Sequence, residues 1–490
     1  MPERKILVEG SPHLREQSGL VTWSDPGLEE EIADLHDTLS AFQKSHGYGR
    51  AIAAPQVGML KRLIAMNLGA GQLTLINPEI VAASDETFEV WDDCMSVPDR
   101  VVKVRRHRSI SLRYTDELGR ERIWRRATGP MSELLQHELD HLDGVLMLDR
   151  AMPGDSVRPV YERERLVEGS RPSHRLSLQA IAEATTVIDP VFLQTPQYEC
   201  EPLSEELGCR LILKVETVNP IRSFKGRGAE YFFHRAEQRG DDRPLVCASA
   251  GNFGQAMAYT ARKYRRHLII YASEGANPLK IERMRRLGAE VRLHGEDFDA
   301  AKAEARRHAD QSGSWLVEDG REPEISEGAG TTAVELLAAN QLYEAITVPL
   351  GNGALLTGMA RWFKASSPAS EVIGVSSTGA DAMEKSWRSG QIVQRDDVDT
   401  IADGIAVRIP VPEAVRDMQE IVDDVVLVED HHIVEAMRLL HHHAGLATEP
   451  AGAAGLASML ADPARFSGRR VATIVAGSNL SREVVRYLVG

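Results

Sequence analysis

Apolar positions recur at helical spacing over residues 28–42 and then give way to short β-like runs at 62–66 and 73–76. Basic runs at 105–108 and 120–126 alternate with Ile110, Leu112, Ile123 and Trp124, which predicts hairpin strands with one solvated face. A second helical pattern carries His137 to His141 and closes this mixed α+β segment near residue 149. Residues 152–175 are rich in Arg, Glu, Pro and Ser with weak periodicity, the texture of a connector. Beyond 176, apolar runs at 211–215, 245–248, 267–271, 345–349, 372–375 and 471–475 alternate with helical stretches, which predicts an α/β doubly wound parallel sheet. The expected organisation is a domain over 1–160, a linker over 161–180 and a larger domain over 181–490. No repeat of fixed period and no low-complexity tract interrupts that order.

A chain of 490 residues exceeds what one core supports, so two chemistries have room. Charged residues at 26% and hydrophobic ones at 43% describe an ordinary globular composition. The net charge of -15 argues against a nucleic-acid partner, because phosphate contacts need clustered Lys and Arg. The four cysteines, Cys94, Cys200, Cys209 and Cys247, show no CxxC spacing, so a reducing compartment is expected. Residues 1–10 lack the basic start and apolar core of a secretion signal, and no run of 18 apolar residues occurs. No membrane partner and a cytoplasmic location are therefore expected.

Two histidines four residues apart in His137-Glu138-Leu139-Asp140-His141 project from one helix face at metal-chelating distance, with Glu138 beside them as a base. An exposed helix can carry such a pair by chance, so the surrounding segments decide. Upstream lie Cys94, in Trp91-Asp92-Asp93-Cys94-Met95-Ser96-Val97-Pro98, and Gln56, in Ala53-Ala54-Pro55-Gln56-Val57-Gly58. A thiolate with two imidazoles leaves a fourth metal position for water. In this order and spacing the three segments resemble the signature motifs of peptide deformylases, over roughly the first third of the chain.

The resemblance implies that Cys94, His137 and His141 bind Fe(II) or Zn(II), and that a metal-activated water attacks a formamide carbon. Glu138 would relay the proton, while Gln56 and the backbone N–H of Met95 would stabilise the oxyanion. Two positions depart from the family pattern: Asp93 replaces a glycine before the cysteine, and Ala51, after Arg50, replaces the second glycine of the first motif. Both lie along the substrate channel, and Asp93 is free to meet a substrate ammonium or to turn to solvent. A small N-formyl compound is expected rather than a nascent peptide.

In Asn219-Pro220-Ile221-Arg222-Ser223-Phe224-Lys225-Gly226-Arg227-Gly228-Ala229, Lys225 opens a helix between glycines that admit a ligand to the backbone. A lone lysine of this kind is more often a solvated surface residue, and three further segments reverse that reading. Ser249, Ala250, Gly251 and Asn252 follow a strand and open a helix, so hydroxyl and N–H groups can bind a carboxylate. Gly351, Asn352, Gly353, Ala354 and Leu355 do the same, in the arrangement that cradles a phosphate. With Ser326 to Thr332, Ala402-Asp403-Gly404, Glu449 to Ala453 and Ala476-Gly477-Ser478-Asn479, these segments resemble fold type II pyridoxal-phosphate enzymes, closest to serine/threonine dehydratases and serine racemase.

By that resemblance the C-terminal domain has two subdomains and binds pyridoxal 5'-phosphate. Lys225 holds the cofactor and moves the α-proton, residues 351–355 bind its phosphate, Asn252 reaches its phenolic oxygen, and residues 249–252 clamp the substrate carboxylate. The hydroxyl expected near the pyridine nitrogen aligns with Ala476, and Ser478 is the group that can replace it. Ala250 stands where racemases carry a serine base, and Ser376 and Ala382 stand where the racemase group has cation-binding carboxylates. The implied reaction is β-elimination and deamination of a serine- or threonine-like amino acid to a 2-oxo acid and ammonia, and family habit implies a homodimer.

A formamide nitrogen is not nucleophilic, so an N-formyl amino acid must lose formate before the second site can use it. The alternative is a lyase or β-replacement enzyme with a non-catalytic deformylase-like module. His431, His432 and 441–443 are read as flanking a helix that ends at Gly445, where cationic side chains suit the C-terminus.

Overall fold

In a computed structural model the chain separates into two compact units, one over residues 1–173 and 365–369 and a larger one over residues 174–364 and 370–490. The described residues are 4–489 except 23–24, 47, 69–71, 164–165, 167–173, 277 and 339–341.

In the first unit, α1 (Leu28–His46) buries Leu28, Ile32, Leu35 and Leu39 along one stripe and carries three glutamates in its first turn, where they complement the helix dipole. It runs past residue 42 because Phe42 stacks on His46 at 4.1 Å. An antiparallel sheet takes the order β1 (Ala51–Ala53), β2 (Leu63–Asn67), β3 (Gln72–Ala83), β6 (Ser109–Thr115) and β7 (Glu121–Thr128). A second sheet joins β4 (Thr87–Cys94), β5 (Val97–His107) and β8 (Val157–Pro159). The chain leaves β7 at Gly129, φ +52°, and enters α2 (Gly129–Leu142), whose Pro130 suits a first helical turn.

One expectation fails in the basic run. Arg106 is buried, 4% exposed, because it donates to Asp92 at 2.9 Å and to Asp140 at 2.5 Å. Two carboxylates compensate the buried guanidinium, which the alternation pattern alone does not register.

The expected connector is partly structured: β8 lies within it, and α3 (Leu178–Val187), capped by the Ser177 hydroxyl, begins inside the span 161–180. Within that linker, residues 164–165 and 167–173 lie outside the described residues.

The second unit divides its strands between two sheets. The larger has β17 (Asp424–Val428), β16 (Glu371–Ser377), β15 (Ala345–Pro349), β18 (Arg470–Val475) and β10 (Arg210–Val215) in parallel, with β9 (Gln197–Glu199) antiparallel at the edge. The smaller is wholly parallel, in the order β13 (Glu290–Leu293), β12 (Leu268–Ala272), β11 (Leu245–Ala248) and β14 (Trp315–Leu316). The strands read as near-continuous apolar runs because helices cover both faces.

Three helices of this unit meet backbone to backbone. A Cβ on Gly228 of α4 (Lys225–Gln238) would lie 2.5 Å from the Ile325 carbonyl of α6 (Pro323–Ala338). One on Gly330 of α6 would lie 2.8 Å from the Gly358 carbonyl of α7 (Ala354–Ser366). The glycines of the segment 326–332 are therefore packing residues.

Beneath this seam lies a buried charge network. Arg227 donates to Glu216 and Glu335 at 2.6–2.9 Å, and Lys214 donates to Glu335 at 2.6 Å. Lys214, Glu216 and Arg227 are all fully buried.

The histidine reading needs one correction. His441, His442 and His443 occupy the last turn of α8 (Asp430–Ala444), before the left-handed cap at Gly445. His431 and His432 instead stand in its first turn, where the dipole disfavours a cation, and burial followed by the neighbouring His431 lowers the His432 pKa. Among the described residues no helix is long and apolar enough to cross a membrane, and all four cysteines are buried and unpaired.

Candidate active sites

In the first unit, Cys94 ends β4 at a register shift against β5, which turns its thiol out of the ladder and toward α2. From α2 come His137, Glu138 and His141, all buried. Cys94 Sγ lies 3.2 Å from His141 Nε2, and one donor atom from each of Cys94, His137 and His141 falls within 4.8 Å of the others. His137 Nδ1 sits 2.9 Å from Asp92, which orients the ring and leaves Nε2 as a donor. Burial works against a charged His137, but Asp92 and Cys94 outweigh it and hold its pKa well above the usual imidazole value. His141 is driven well below that value by its own burial and then by His137.

Gln56, in the turn Ala54–Val57, is fixed through Oε1, which accepts from Ala53 N at 2.8 Å. Its Nε2 points 3.9 Å from Cys94 Sγ and donates to Ser96 at 3.2 Å. Met95 opens the tight turn joining β4 to β5. Burial pushes the Glu138 carboxyl up to about 7, and Glu138 Oε2 and His141 Nδ1 are buried without a partner among the described residues. One sulfur and two nitrogen donors beside an unpartnered carboxylate fit a divalent metal with an open position.

The sequence left Asp93 facing either a substrate or solvent. It is partly exposed and paired, with Arg163 donating to it at 3.1 Å. Arg50 donates to Glu133 at 2.9 Å, and Glu133 lies with Asp92 and His137 in a second cluster spanning 4.8 Å. The surroundings of the triad are thus lined by charge pairs.

In the second unit, Lys225 is the first residue of α4 and is pinned from behind. Phe224 N donates to Ala476 O at 3.1 Å and Ser478 N to Arg222 O at 3.0 Å, so the segment 476–479 sets where the lysine emerges. Ser478 is half-buried, and the described contact is through its backbone.

The other glycine-rich segments converge by close approach. A Cβ on Gly351 would lie 2.5 Å from Gly404 O, one on Gly404 2.8 Å from Ala451 Cβ, and one on Gly452 2.4 Å from Gly477 O. Gly353 takes φ +95° to turn the chain into α7 at Ala354, so the N–H groups of Ala354 and Leu355 belong to an opening helical turn. An anion fits there.

Ser249 and Asn252 are already engaged. Ser249 Oγ accepts from Gly251 N at 3.2 Å and Gly254 N at 2.9 Å, which caps α5 (Asn252–Lys263), while a Cβ on Gly251 would meet open space and Ala250 is half-buried. Asn252 Nδ2 donates to Glu449 at 2.5 Å, and its Oδ1 accepts from Asn479 at 2.7 Å. Asn479 in turn donates to Glu449 through its backbone and accepts from Arg283. Glu449, at the mouth of α9 (Pro450–Ala461), is raised to about 7 by burial and then by Asp403.

Sequence reasoning missed one residue outright. Asp319 follows β14 and places Oδ2 2.5 Å from Lys225 Nζ. Its loop lies against the glycine turn, since a Cβ on Gly320 would meet Asn352 O at 2.2 Å. No local motif announces a partner 94 positions from the lysine. A lysine amine, an anion cradle and a fixed asparagine together fit a carbonyl cofactor that bears a phosphate.

Comparison with known proteins agrees with both geometries. Residues 3–156 match the family model described as polypeptide deformylase, and residues 188–477 match that of the pyridoxal-phosphate dependent enzymes. The biosynthetic L-threonine dehydratase of Pasteurella multocida is 33% identical over 298 residues, 60% of this chain and 58% of that protein. The L-threonine ammonia-lyase of Thermotoga maritima is 31% identical over 64% of this chain and 78% of its own length. This chain spans about half of a chloroplastic threonine dehydratase from Solanum lycopersicum, 50%. Among solved structures, the processed threonine deaminase isoform 2 from Solanum lycopersicum is 27% identical with a TM-score of 0.59, covering 64% of this chain and 93% of that one. Maize serine racemase is 26% identical with a TM-score of 0.60, over 64% of this chain and 96% of that one. The chain therefore belongs to the pyridoxal-phosphate dependent enzyme family, carrying a polypeptide deformylase-like domain ahead of its fold type II domain.

Proposed function

We propose that the protein is a bifunctional enzyme: the first unit hydrolyses an N-formyl group on a small amino-acid derivative, and the second eliminates and deaminates a serine- or threonine-like amino acid. The observation that carries this reading is that each unit gathers a complete set of reactive groups: Cys94, His137, His141 and Glu138 in one, Lys225 with its anion cradle in the other. The charge pairs Arg50–Glu133 and Arg163–Asp93 support a small, polar formyl substrate over an apolar peptide side chain.

In the first site Cys94, His137 and His141 would hold a divalent iron or zinc ion, which would supply a Lewis acid and acidify a water. Glu138 would accept a proton from the attacking water and return it to the departing nitrogen. Gln56 Nε2 and the Met95 N–H stabilise the charge on the formyl oxygen.

In the second site pyridoxal phosphate, when bound, supplies the sink for the electron pair left at the substrate α-carbon. Lys225 holds the group and moves the α-proton. The N–H groups of residues 351–355 hold its phosphate, and residues 249–251 hold the substrate carboxylate. Asn252 and Ser478 orient the ring. The β-hydroxyl departs with the Cβ–O bonding pair and a proton as water, and a water then hydrolyses the resulting enamine to a 2-oxo acid and ammonia. We place both reactions in the cytoplasm, in a homodimer.

The test is a panel of free and N-formyl amino acids given to metal- and cofactor-loaded enzyme, with formate, ammonia and oxo acid recorded. Formate and oxo acid from one N-formyl substrate are expected, with Glu138→Ala blocking both and Lys225→Ala only the latter. Oxo acid from free amino acids without formate from any substrate would reduce the first unit to a non-catalytic module.

A further inference from the structure

Residues 174–177, where the connector joins the second unit, are bolted to the elements that build its anion cradle. Arg175 donates through Nε to both Asp417 oxygens at 3.1 Å, and its Nη2 also reaches Oδ2. Asp417 lies in the short helix Pro412–Met418 and is 5% exposed. The same guanidinium donates to Arg321 O at 2.5 Å and to Gly320 O at 3.3 Å. Beside it, His174 Nδ1 accepts from Leu176 N at 3.0 Å, which leaves Nε2 to donate to Asp417 O at 3.1 Å. Leu176 O accepts from Arg361 of α7 at 2.9 Å, and Ser177 N donates to Glu327 of α6 at 2.8 Å.

These anchors converge behind the cradle. A Cβ on Gly320, φ +87°, would lie 2.2 Å from Asn352 O and 3.4 Å from Ala414 Cβ, and one on Gly353, φ +95°, would lie 2.9 Å from the same Ala414 Cβ. The Gly320 turn, the helix Pro412–Met418 and the glycine turn 351–353 are therefore in direct contact, with no long side chain between them to absorb a shift. Arg175 holds the first two from one guanidinium, whose planar fork fixes direction as well as distance. A helix-opening turn binds an anion through N–H groups that point at one place, so a displacement of the Gly320 turn reaches the donors at Ala354 and Leu355.

The geometry points to Arg175 as a positioning residue for the cofactor: the end of the connector sets the phosphate cradle of the second site. This rests on the reading of residues 351–355 as that cradle. Arg175 acts through the Gly320 turn and Asp417 rather than on the ligand. A shift of Asp319 in the same turn would disturb Lys225 equally for any carbonyl cofactor, so comparing pyridoxal 5'-phosphate with pyridoxal isolates the effect on the phosphate.

The test loads the full-length apoprotein with either compound and reads each affinity from the cofactor absorbance. Wild type is expected to prefer the phosphorylated form, and Arg175→Ala to cut that preference by about tenfold or more. Arg465→Ala serves as the comparison. It breaks pairs with Glu371 and Asp424, at the other end of the strands from the cradle, and should lower stability while leaving the preference unchanged. In wild type itself, inorganic phosphate and pyridoxal 5'-phosphate should both slow hydrogen exchange in peptides covering 174–181, and pyridoxal should not.

A smaller change of preference, including an equal fall for both compounds, would make Arg175 an ordinary fold contact and overturn the proposal. Exchange in 174–181 that phosphate leaves unchanged would do the same, and that measurement stands even if the variant fails to fold. A wild type that binds both compounds equally would sink the cradle reading and this inference together, whereas a wild-type preference insensitive to Arg175 would sink only the inference.

Discussion

Replacing Glu335 with glutamine removes one charge from the network that joins β10, α4 and α6. Glu335 accepts from Lys214 and twice from Arg227, and its side chain is 15% exposed. These partners overcome its burial and take its pKa from 4.5 to about 2. That difference corresponds to about 3 kcal/mol of stabilisation at neutral pH. Lys214 runs the other way, since burial outweighs its carboxylate neighbours and lowers its pKa, and it offsets part of the gain. Glu335→Gln is therefore expected to lower local opening free energy by about 2–3 kcal/mol, or roughly 30- to 150-fold faster exchange. Hydrogen exchange of peptides covering β10 and α4 is the assay, because it reports this unit alone.

The sign with pH is fixed by the depressed pKa. The contribution is present in full above the unfolded value near 4.5 and fades as pH falls toward 2, so wild type and variant should converge there. A neutral-pH difference below about threefold, or one that persists unchanged to pH 2, would refute the assignment of stability to this network.

Three shorter predictions concern other parts of the chain. Asp92→Asn should weaken metal binding by about 10- to 100-fold in competition with a chelator, because it releases the His137 ring. Glu138→Gln should keep one metal per chain while deformylation falls by about 100-fold or more, read as formate release from a metal-verified sample. Gly228→Ala forces a Cβ against a helix carbonyl at 2.5 Å and should destabilise the second unit by about 1–3 kcal/mol, seen as a lower thermal midpoint.

Much of the architecture was legible in residue order. The strand runs of the second unit fall within a residue or two of the observed strands, because parallel strands covered on both faces keep an uninterrupted apolar signal. The histidine pair was legible because helix geometry converts sequence spacing into distance, and Cys94 was legible through the resemblance of its segment to a deformylase motif. β3 runs on to Ala83, far past the expected 73–76, because its last five residues are exposed and carry no period-two contrast. Arg106 and Asp319 were illegible for a common reason. Each owes its position to carboxylates or amines that are distant in sequence, and neither local pattern nor propensity encodes such a pairing.

The glycine contacts around the second site set its dimensions in an unusual way. Where Gly351 meets Gly404 and Gly452 meets Gly477, no rotamer stands between one backbone and the next. The floor is a fixed gauge, set by atomic radii, and any added carbon there displaces whole segments. New substrate preferences are then expected on the walls, at positions such as Ala250, rather than on this floor. A saturation library of this unit should accordingly divide into a floor where nothing is tolerated and walls where some change is.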